Sequence, residues 1–574
     1  MSAASAAVEV RPSPTKGRAL VSTRTVAPGA TILITSPPLL LPSLSHATTV
    51  CTYCLRTGGT GSLRACTRCQ SARYCGADCQ RAHWKAAHSR ECKPLAEVHG
   101  AGRGDLPTPV RLLMQVLLGV GDTSSKSKAK GKGREKVEGG AEGEESTRVK
   151  DGLADLESHV EAWRSGAQWP DVEMMATAAC AYAGLETDDD NIKKACEIMC
   201  KIQTNAFNWA DPDMGQVAVF IEPTLAMMNH SCMPNAMIQL IGRNIVLRAE
   251  THIQAGDEIE ISYTDYTRPR SSRRHALETY NFQCRCLRCT DDLNVYQACA
   301  ASPRTDINGM SVAPDVANVA AHPAVTNKAG RADAARAISE EATAQCDSIV
   351  KSSTPTPQTS MLRARYLACE PLVSLDLWAV SPLPQLVVDI AVLHADRQDW
   401  PAALATACLA ATACDAYRYK PPFNPIRVKG LFLVAKLLSN TAASGAAIDY
   451  DDDAHGGGSA GTRAVGGPAV DRKLRETLRY IDQVSLCQIL LIMVLQLAPQ
   501  GGLARQWELT RDAYDMLQDI GQLPGREGET SLIRTWAANP RDAQSEAFFK
   551  FAVVDPMKGL SELGMEVLKG EFGS

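Results

Sequence analysis

The rhythm of apolar and polar positions changes several times along the chain. Residues 16–42, KGRALVSTRTVAPGATILITSPPLLLP, read as strands broken by a turn at Pro28-Gly29. Residues 108–120 and 151–201 carry helical spacing. Between them, 122–151 is charged, rich in Gly and almost free of apolar residues. Such a segment cannot bury enough surface to offset its ordering entropy, so it reads as a disordered loop, its lysines a solvated linker rather than an import signal. Residues 215–263 alternate in short bursts around turns at Gly242-Arg243-Asn244 and Ala255-Gly256-Asp257, which predicts a β-rich core. From about 331 the pattern is mostly helical, interrupted by the Gly/Ala/Asp stretch 443–468. Within it, 384–417 reads as two amphipathic helices around Arg397-Gln398-Asp399, resembling a tetratricopeptide unit. This helical half is expected to pack beside the β-rich core as a lobe and to form a cleft with it.

Composition narrows the function classes. With 574 residues, 45% of them hydrophobic, the chain has material for three or four domains. A net charge of −4 gives no overall positive field for phosphate backbones, so nucleic acid is at most a secondary partner. No uncharged apolar run reaches the roughly 18 residues of a membrane span, and no basic-then-apolar leader opens the chain. A reducing compartment is therefore expected, with the 20 cysteines as thiols rather than disulfides. Cys180, Cys196, Cys200, Cys299, Cys346, Cys369, Cys408, Cys414 and Cys487 are scattered and read as small core residues. Cys196 and Cys200 lie one helical turn apart, but no partner pair is visible.

The remaining cysteines have metal-ligand spacing. Cys51-x2-Cys54 and Cys66-x2-Cys69 are followed by Cys75-x3-Cys79 and His88-x3-Cys92. A Cys-x2-Cys turn converges two thiolates on one ion, and ligands four apart share a helix face. Four such pairs make two tetrahedral zinc sites. His83, four residues after Cys79, is a ninth candidate. A second cluster, Cys284-x-Cys286-x2-Cys289, supplies three thiolates where a closed zinc site needs four.

These motifs fall in a telling order. KGRAL (16–20) precedes the first cluster; NHSCMPN (229–235), GDEIEISY (256–263) and YNFQCRCLRC (280–289) follow it. The set resembles the SET and MYND domain protein-lysine methyltransferases over about 16–292, and Tyr74, Gln80 and Trp84 extend the likeness of the finger. The resemblance implies an α+β fold: a β-rich SET domain split by a MYND zinc finger, then an α-helical, tetratricopeptide-like C-terminal lobe. The expected boundaries are 1–50 for the first SET part, 51–92 for the finger, and 93–204 for a helical insertion carrying the 122–151 loop. The SET core would follow at 205–266, the post-SET site at 267–292, a linker at 293–330 and the lobe at 331–574.

The resemblance also assigns roles. The finger sites interleave: Cys51, Cys54, Cys75 and Cys79 hold one zinc, and Cys66, Cys69, His88 and Cys92 the other, which leaves His83 as a surface residue. Cys232 completes the third zinc with Cys284, Cys286 and Cys289. All three ions would be structural. S-adenosylmethionine would meet Lys16, Gly17 and Arg18 largely by backbone, with Asn205, Asn229, His230 and Phe282 around it. Tyr263 is the implied catalytic tyrosine, with Tyr280 beside it in a lysine channel. Methyl transfer to lysine needs a neutral amine, although free Lys has a pKa of about 10.4. An apolar channel near a sulfonium lowers that value without a dedicated base. The expected partner is a histone or non-histone protein substrate, with a Pro-rich peptide as a further ligand of the finger. A monomer in nucleus and cytoplasm is expected. A catalytically weak SET/MYND scaffold or transcriptional regulator is the competing reading.

Overall fold

The computed structural model describes residues 7–58, 62–120, 152–211, 215–303, 310–351, 357–452 and 468–573. The expected loop at 122–151 lies outside them. So does most of the 443–468 interruption, although the helix Pro425–Asp452 carries helical backbone into its first part.

The β-rich core is assembled from both sides of the finger. Before it come β1 (Val8–Ser13), β2 (Gly17–Ser22), β3 (Thr31–Thr35) and β4 (Leu39–Pro42). The finger adds the short β5 (Arg64–Ala65) and β6 (Arg73–Tyr74), and after the insertion follow β7 (Phe207–Asp211) and β8 (Gly215–Ile221). Then come β9 (Asn229–His230), β10 (Ala236–Ile241), β11 (Asn244–Ala249) and β12 (Glu260–Ile261). β3 is the outer partner of the β10–β11 hairpin, and β4 pairs with β8, which pairs with β7. Single bridges Val21–Glu258 and Val26–Ile253 complete the closure. Thus 8–42 and 207–261 form one β-structure, and everything between is an insertion. Leu20, Ile32, Ile245, Leu247 and Ile259 are buried together inside it. The turns at Gly242 and Gly256 fall where expected, each glycine at positive φ. β1 and β7 were not anticipated; β1 is one-sided, with Val8 its only buried residue.

The insertion helices Thr108–Leu117, Trp169–Ala183 and Asp189–Asn205 pack together, and their apolar faces share one core with the finger. Cys180, Cys196 and Cys200 are buried in that core and join no metal-ligand group among the described residues.

The C-terminal lobe is helical. Helices Leu383–Asp396 and Trp400–Leu409 bracket the turn at 397–399. The Ala-rich Trp400–Leu409 meets Asp555–Phe572 so closely that a Cβ on Gly564 would lie 2.5 Å from the Ala405 carbonyl oxygen. The expected linker 293–330 is a correction. It contains the helix Val295–Ala301, closed by a capping box at Asn294, and Tyr296 is buried in the lobe core with its hydroxyl accepting from Ala379 N–H. Apolar residues such as Val295, Val319 and Ala324 made this segment structural, although their spacing was too short to show a period. Among the described residues no single helix is long and apolar enough to cross a membrane. The apolar helix Gln483–Leu497 lies inside the lobe, most of its residues buried.

Lobe and β-core are tightly joined. Arg248 donates to the Leu497 carbonyl at 2.8 Å with its guanidinium 4.5 Å from the Phe423 ring, and Met237 is buried among lobe residues.

Candidate active site and metal centres

β9 and β12 run parallel, with Asn229 opposite Glu260 and His230 opposite Ile261. This short pairing brings NHSCMPN and GDEIEISY into register. Asn235 locks it from the end, donating to the Glu258 carbonyl at 2.8 Å and accepting from Glu260 N–H at 2.9 Å. The Asn229 amide donates at 2.7 Å both to the Arg18 carbonyl and to the Glu258 carboxylate, so KGRAL is tied to the same point.

Tyr263 follows β12. Its N–H donates to His230 Nδ1 at 3.0 Å, and its hydroxyl donates to the Met228 carbonyl. Burial pushes the Tyr263 hydroxyl well above its ordinary value, so it is neutral and a donor. Burial draws His230 down to about 4. Its Nε2 lies 3.2 Å from Cys232 Sγ, so both ring nitrogens are occupied and neither is placed to act as a base. The chain then passes through the helix Arg270–Leu277 and returns Tyr280 to 4.8 Å from the Tyr263 ring centroid. Asn281, at φ 57°, places the exposed Phe282 at the cavity rim, 5.8 Å from His230 and 6.2 Å from Tyr263 between ring centroids.

These residues surround one open cavity of about 1380 Å³. Lys16, Gly17, Arg18, Asn205, Asn229, His230, Tyr263, Tyr280 and Phe282 all line it. Leu156, Glu157 and His159, in the middle of the insertion, line it as well and carried no sequence signal. The Lys16 side chain has partners of its own. Lys16 Nζ is held by Glu260 at 2.6 Å and Glu258 at 3.2 Å. Arg18 is spent on the Asp155 carbonyl, and Asn205 caps its own helix by donating to the Lys201 carbonyl at 2.9 Å. The expected cleft between core and lobe does not coincide with this cavity, because none of its lining residues lies beyond Leu287.

Twelve candidate metal ligands gather into three groups of four: Cys51, Cys54, Cys75, Cys79; Cys66, Cys69, His88, Cys92; and Cys232, Cys284, Cys286, Cys289. Within each, the ligand atoms lie within 4.8 Å of one another. Tetrahedral zinc–thiolate geometry sets sulfurs about 3.8 Å apart. Cys54–Cys75 at 3.7 Å, Cys66–Cys92 at 3.8 Å and Cys232–Cys289 at 3.6 Å fit an ion at each centre.

His83 is a correction: it is buried, not a surface residue. Its Nδ1 bonds the Tyr74 hydroxyl at 2.9 Å, and burial lowers it to about 3, so it is a neutral wedge inside the finger. The sequence reading also missed Glu91 and Arg111, fully buried and paired beneath the second metal group. The signal was present, since Arg111 and Gln115 interrupt the apolar run PVRLLMQVLL at helical spacing.

Residues 51–92 match the MYND finger family. The chain is 28% identical over 283 residues to histone-lysine N-methyltransferase ASHR1 of Arabidopsis thaliana, covering 48% of this chain and 54% of that protein. It is 27% identical over 278 residues to histone-lysine N-methyltransferase SMYD3 of Homo sapiens, covering 48% and 59%. It is 26% identical over 281 residues to the SET domain and MYND-type zinc finger protein 6 of Schizosaccharomyces pombe, covering 49% and 51%. The chain spans between half and three-fifths of the length of these relatives. A solved structure, the SET domain of LSMT bound to lysine and AdoHcy, aligns over 95% of this chain and 91% of that one at 11% identity, but with a TM-score of 0.22, too poor a superposition to relate the two folds. In its finger, the order of its motifs and these sequence relatives, the chain is similar to the SET and MYND domain proteins.

Proposed function

We propose that this chain transfers a methyl group from S-adenosylmethionine to a lysine of a histone or non-histone protein. The carrying observation is the single cavity that unites KGRAL, Asn205, Asn229 and His230 with Tyr263, Tyr280 and Phe282. S-adenosylmethionine, when bound, supplies a methyl group on a sulfonium. Lys16, Gly17, Arg18, Asn205, Asn229, His230 and Phe282 are the residues that would hold it. The Tyr263 and Tyr280 rings, 4.8 Å apart, form an apolar wall beside that region. A lysine inserted along it loses solvation, which favours its neutral, nucleophilic amine. The Tyr263 hydroxyl donates its hydrogen bond to the Met228 carbonyl, so its lone pairs remain to orient that amine. The three zinc ions would be structural, because each set of four protein ligands leaves no open position.

The pairing of 8–42 with 207–261 supports reading the β-core as a SET domain split by the finger and its insertion. The helix pair Leu383–Asp396 and Trp400–Leu409 is the part of the lobe we read as tetratricopeptide-like. A monomer of nucleus and cytoplasm, with a Pro-rich peptide as a second ligand of the finger and nucleic acid secondary, completes the proposal. The test is transfer of labelled methyl groups from S-adenosylmethionine to proteins of a cell extract. The purified chain should label one or more proteins, and Tyr263→Phe should lower labelling by about 100-fold or more. Equal labelling by the two forms would remove Tyr263 from the mechanism. No labelling by either would favour the scaffold reading.

A further inference from the structure

Beneath the second finger centre lies a buried charged network that the methyl-transfer reading does not use. His88 directs Nε2 toward the metal group, 3.6 Å from Cys69 Sγ, and turns Nδ1 to the Glu91 carboxylate at 3.2 Å. Glu91 is completely buried. Arg111 donates to it twice, at 2.6 and 3.0 Å, and Gln115 donates at 2.8 Å. Arg111 and Gln115 sit on Thr108–Leu117, a helix of the insertion and not of the finger. His83 lies against the same carboxylate, with Nε2 3.7 Å from Glu91 Oε1.

We infer that Glu91 is a positioning residue for the second zinc and that, through Arg111 and Gln115, it makes occupancy of that centre depend on the packing of the insertion helix. A ligand imidazole must present a fixed ring orientation, and the group bonded to its other nitrogen sets it. Here that group is a carboxylate whose own position is fixed from another part of the fold. His83, His88 and Glu91 could by themselves form a separate ion site. The Arg111 guanidinium already occupies Glu91 as a fork, and its positive charge repels a cation there. Glu91 therefore serves the neighbouring zinc and does not bind one.

The test uses the full, zinc-loaded chain, with release followed by a chromogenic zinc indicator in excess chelator and thermal unfolding measured beside it. The double variant Glu91→Leu/Arg111→Met removes both charges together, a change that buried pairs often tolerate. It should unfold near the wild-type temperature yet release one zinc per chain about 10-fold faster or more, in line with losing the partner of a ligand histidine. Arg111→Lys keeps the charge without the fork and touches no metal ligand. It should speed the same release phase by a smaller factor, and it gives the reading alone if the double variant does not fold. Release of all zinc at the wild-type rate in Arg111→Lys and in the folded double variant would overturn the inference. So would four zinc ions per chain in the wild type, since Glu91 would then be a ligand.

Discussion

The first finger centre and the third centre each carry four thiolates but are built in opposite ways. Cys51, Cys54, Cys75 and Cys79 come from one short stretch, and the group is partly open, with Cys75 exposed and Cys54 and Cys79 half-buried. Cys232 comes from NHSCMPN, while Cys284, Cys286 and Cys289 follow the helix Arg270–Leu277; three of these four are buried. The local centre folds a loop. The long-range centre staples the segment bearing Tyr280 and Phe282 to the one bearing His230. Metal chemistry is the same in both, so sequence separation and burial decide what each ion holds in place.

The largest effect should come from breaking the staple. Cys232→Ser should free the 280–289 segment, lower S-adenosylmethionine binding in calorimetry and reduce methyl transfer on the order of 100-fold or more. Retained transfer with one zinc lost would show that Tyr280 and Phe282 are held by packing alone. Next is the order of metal loss. In a chelator titration, zinc at Cys51, Cys54, Cys75 and Cys79 should leave first, because exposed thiolates are the accessible ones. Metal-dependent protection of 284–289 in hydrogen exchange should outlast that of 51–79, and the reverse order would invert the comparison.

A pH effect sharpens the contrast. Glu250 shares a small cavity lining with Cys232, and burial raises its carboxyl from 4.5 to about 8. Between those values the native chain binds a proton that the unfolded chain releases. This contribution to stability is therefore full at low pH and is lost as pH rises toward about 8. The slope is at most about 1.4 kcal/mol per pH unit. Glu250→Gln should flatten urea stability between about pH 4.5 and about pH 8. An unchanged slope would mean that the carboxyl is ionised in the fold. The smallest effect is expected for Cys75→Ser, which should loosen the finger, lower zinc by one ion and leave cofactor affinity within about 2-fold, since local disruption far from the cavity adds little to binding there.

The parts of the site legible in the sequence were those set by local spacing. Cys-x2-Cys turns, the Gly242 and Gly256 turns and the apolar strands around them follow from geometry over a few residues. Arg111 shows why other parts were hidden. A charge in an apolar helix signals a buried partner, but nothing in its own helix says that the partner is Glu91. His83 shows the converse, since its spacing from Cys79 suits a ligand and its true role is a wedge against Tyr74. Leu156, Glu157 and His159 reach the cavity only because the insertion returns there.

By itself, then, the sequence determined the chemistry available: twelve metal ligands, the ordered motifs and the helical character of the second half. These depend on residue type and short spacing, which survive without a fold. Tertiary structure alone decided which strands on the two sides of the finger pair, that 293–330 belongs to the lobe, and that Lys16 is taken by Glu258 and Glu260. It also decided that the lobe docks on Arg248 and Met237 rather than lining the cavity. Each is a contact between distant residues, and its strength depends on what else is buried beside it, which no local pattern encodes.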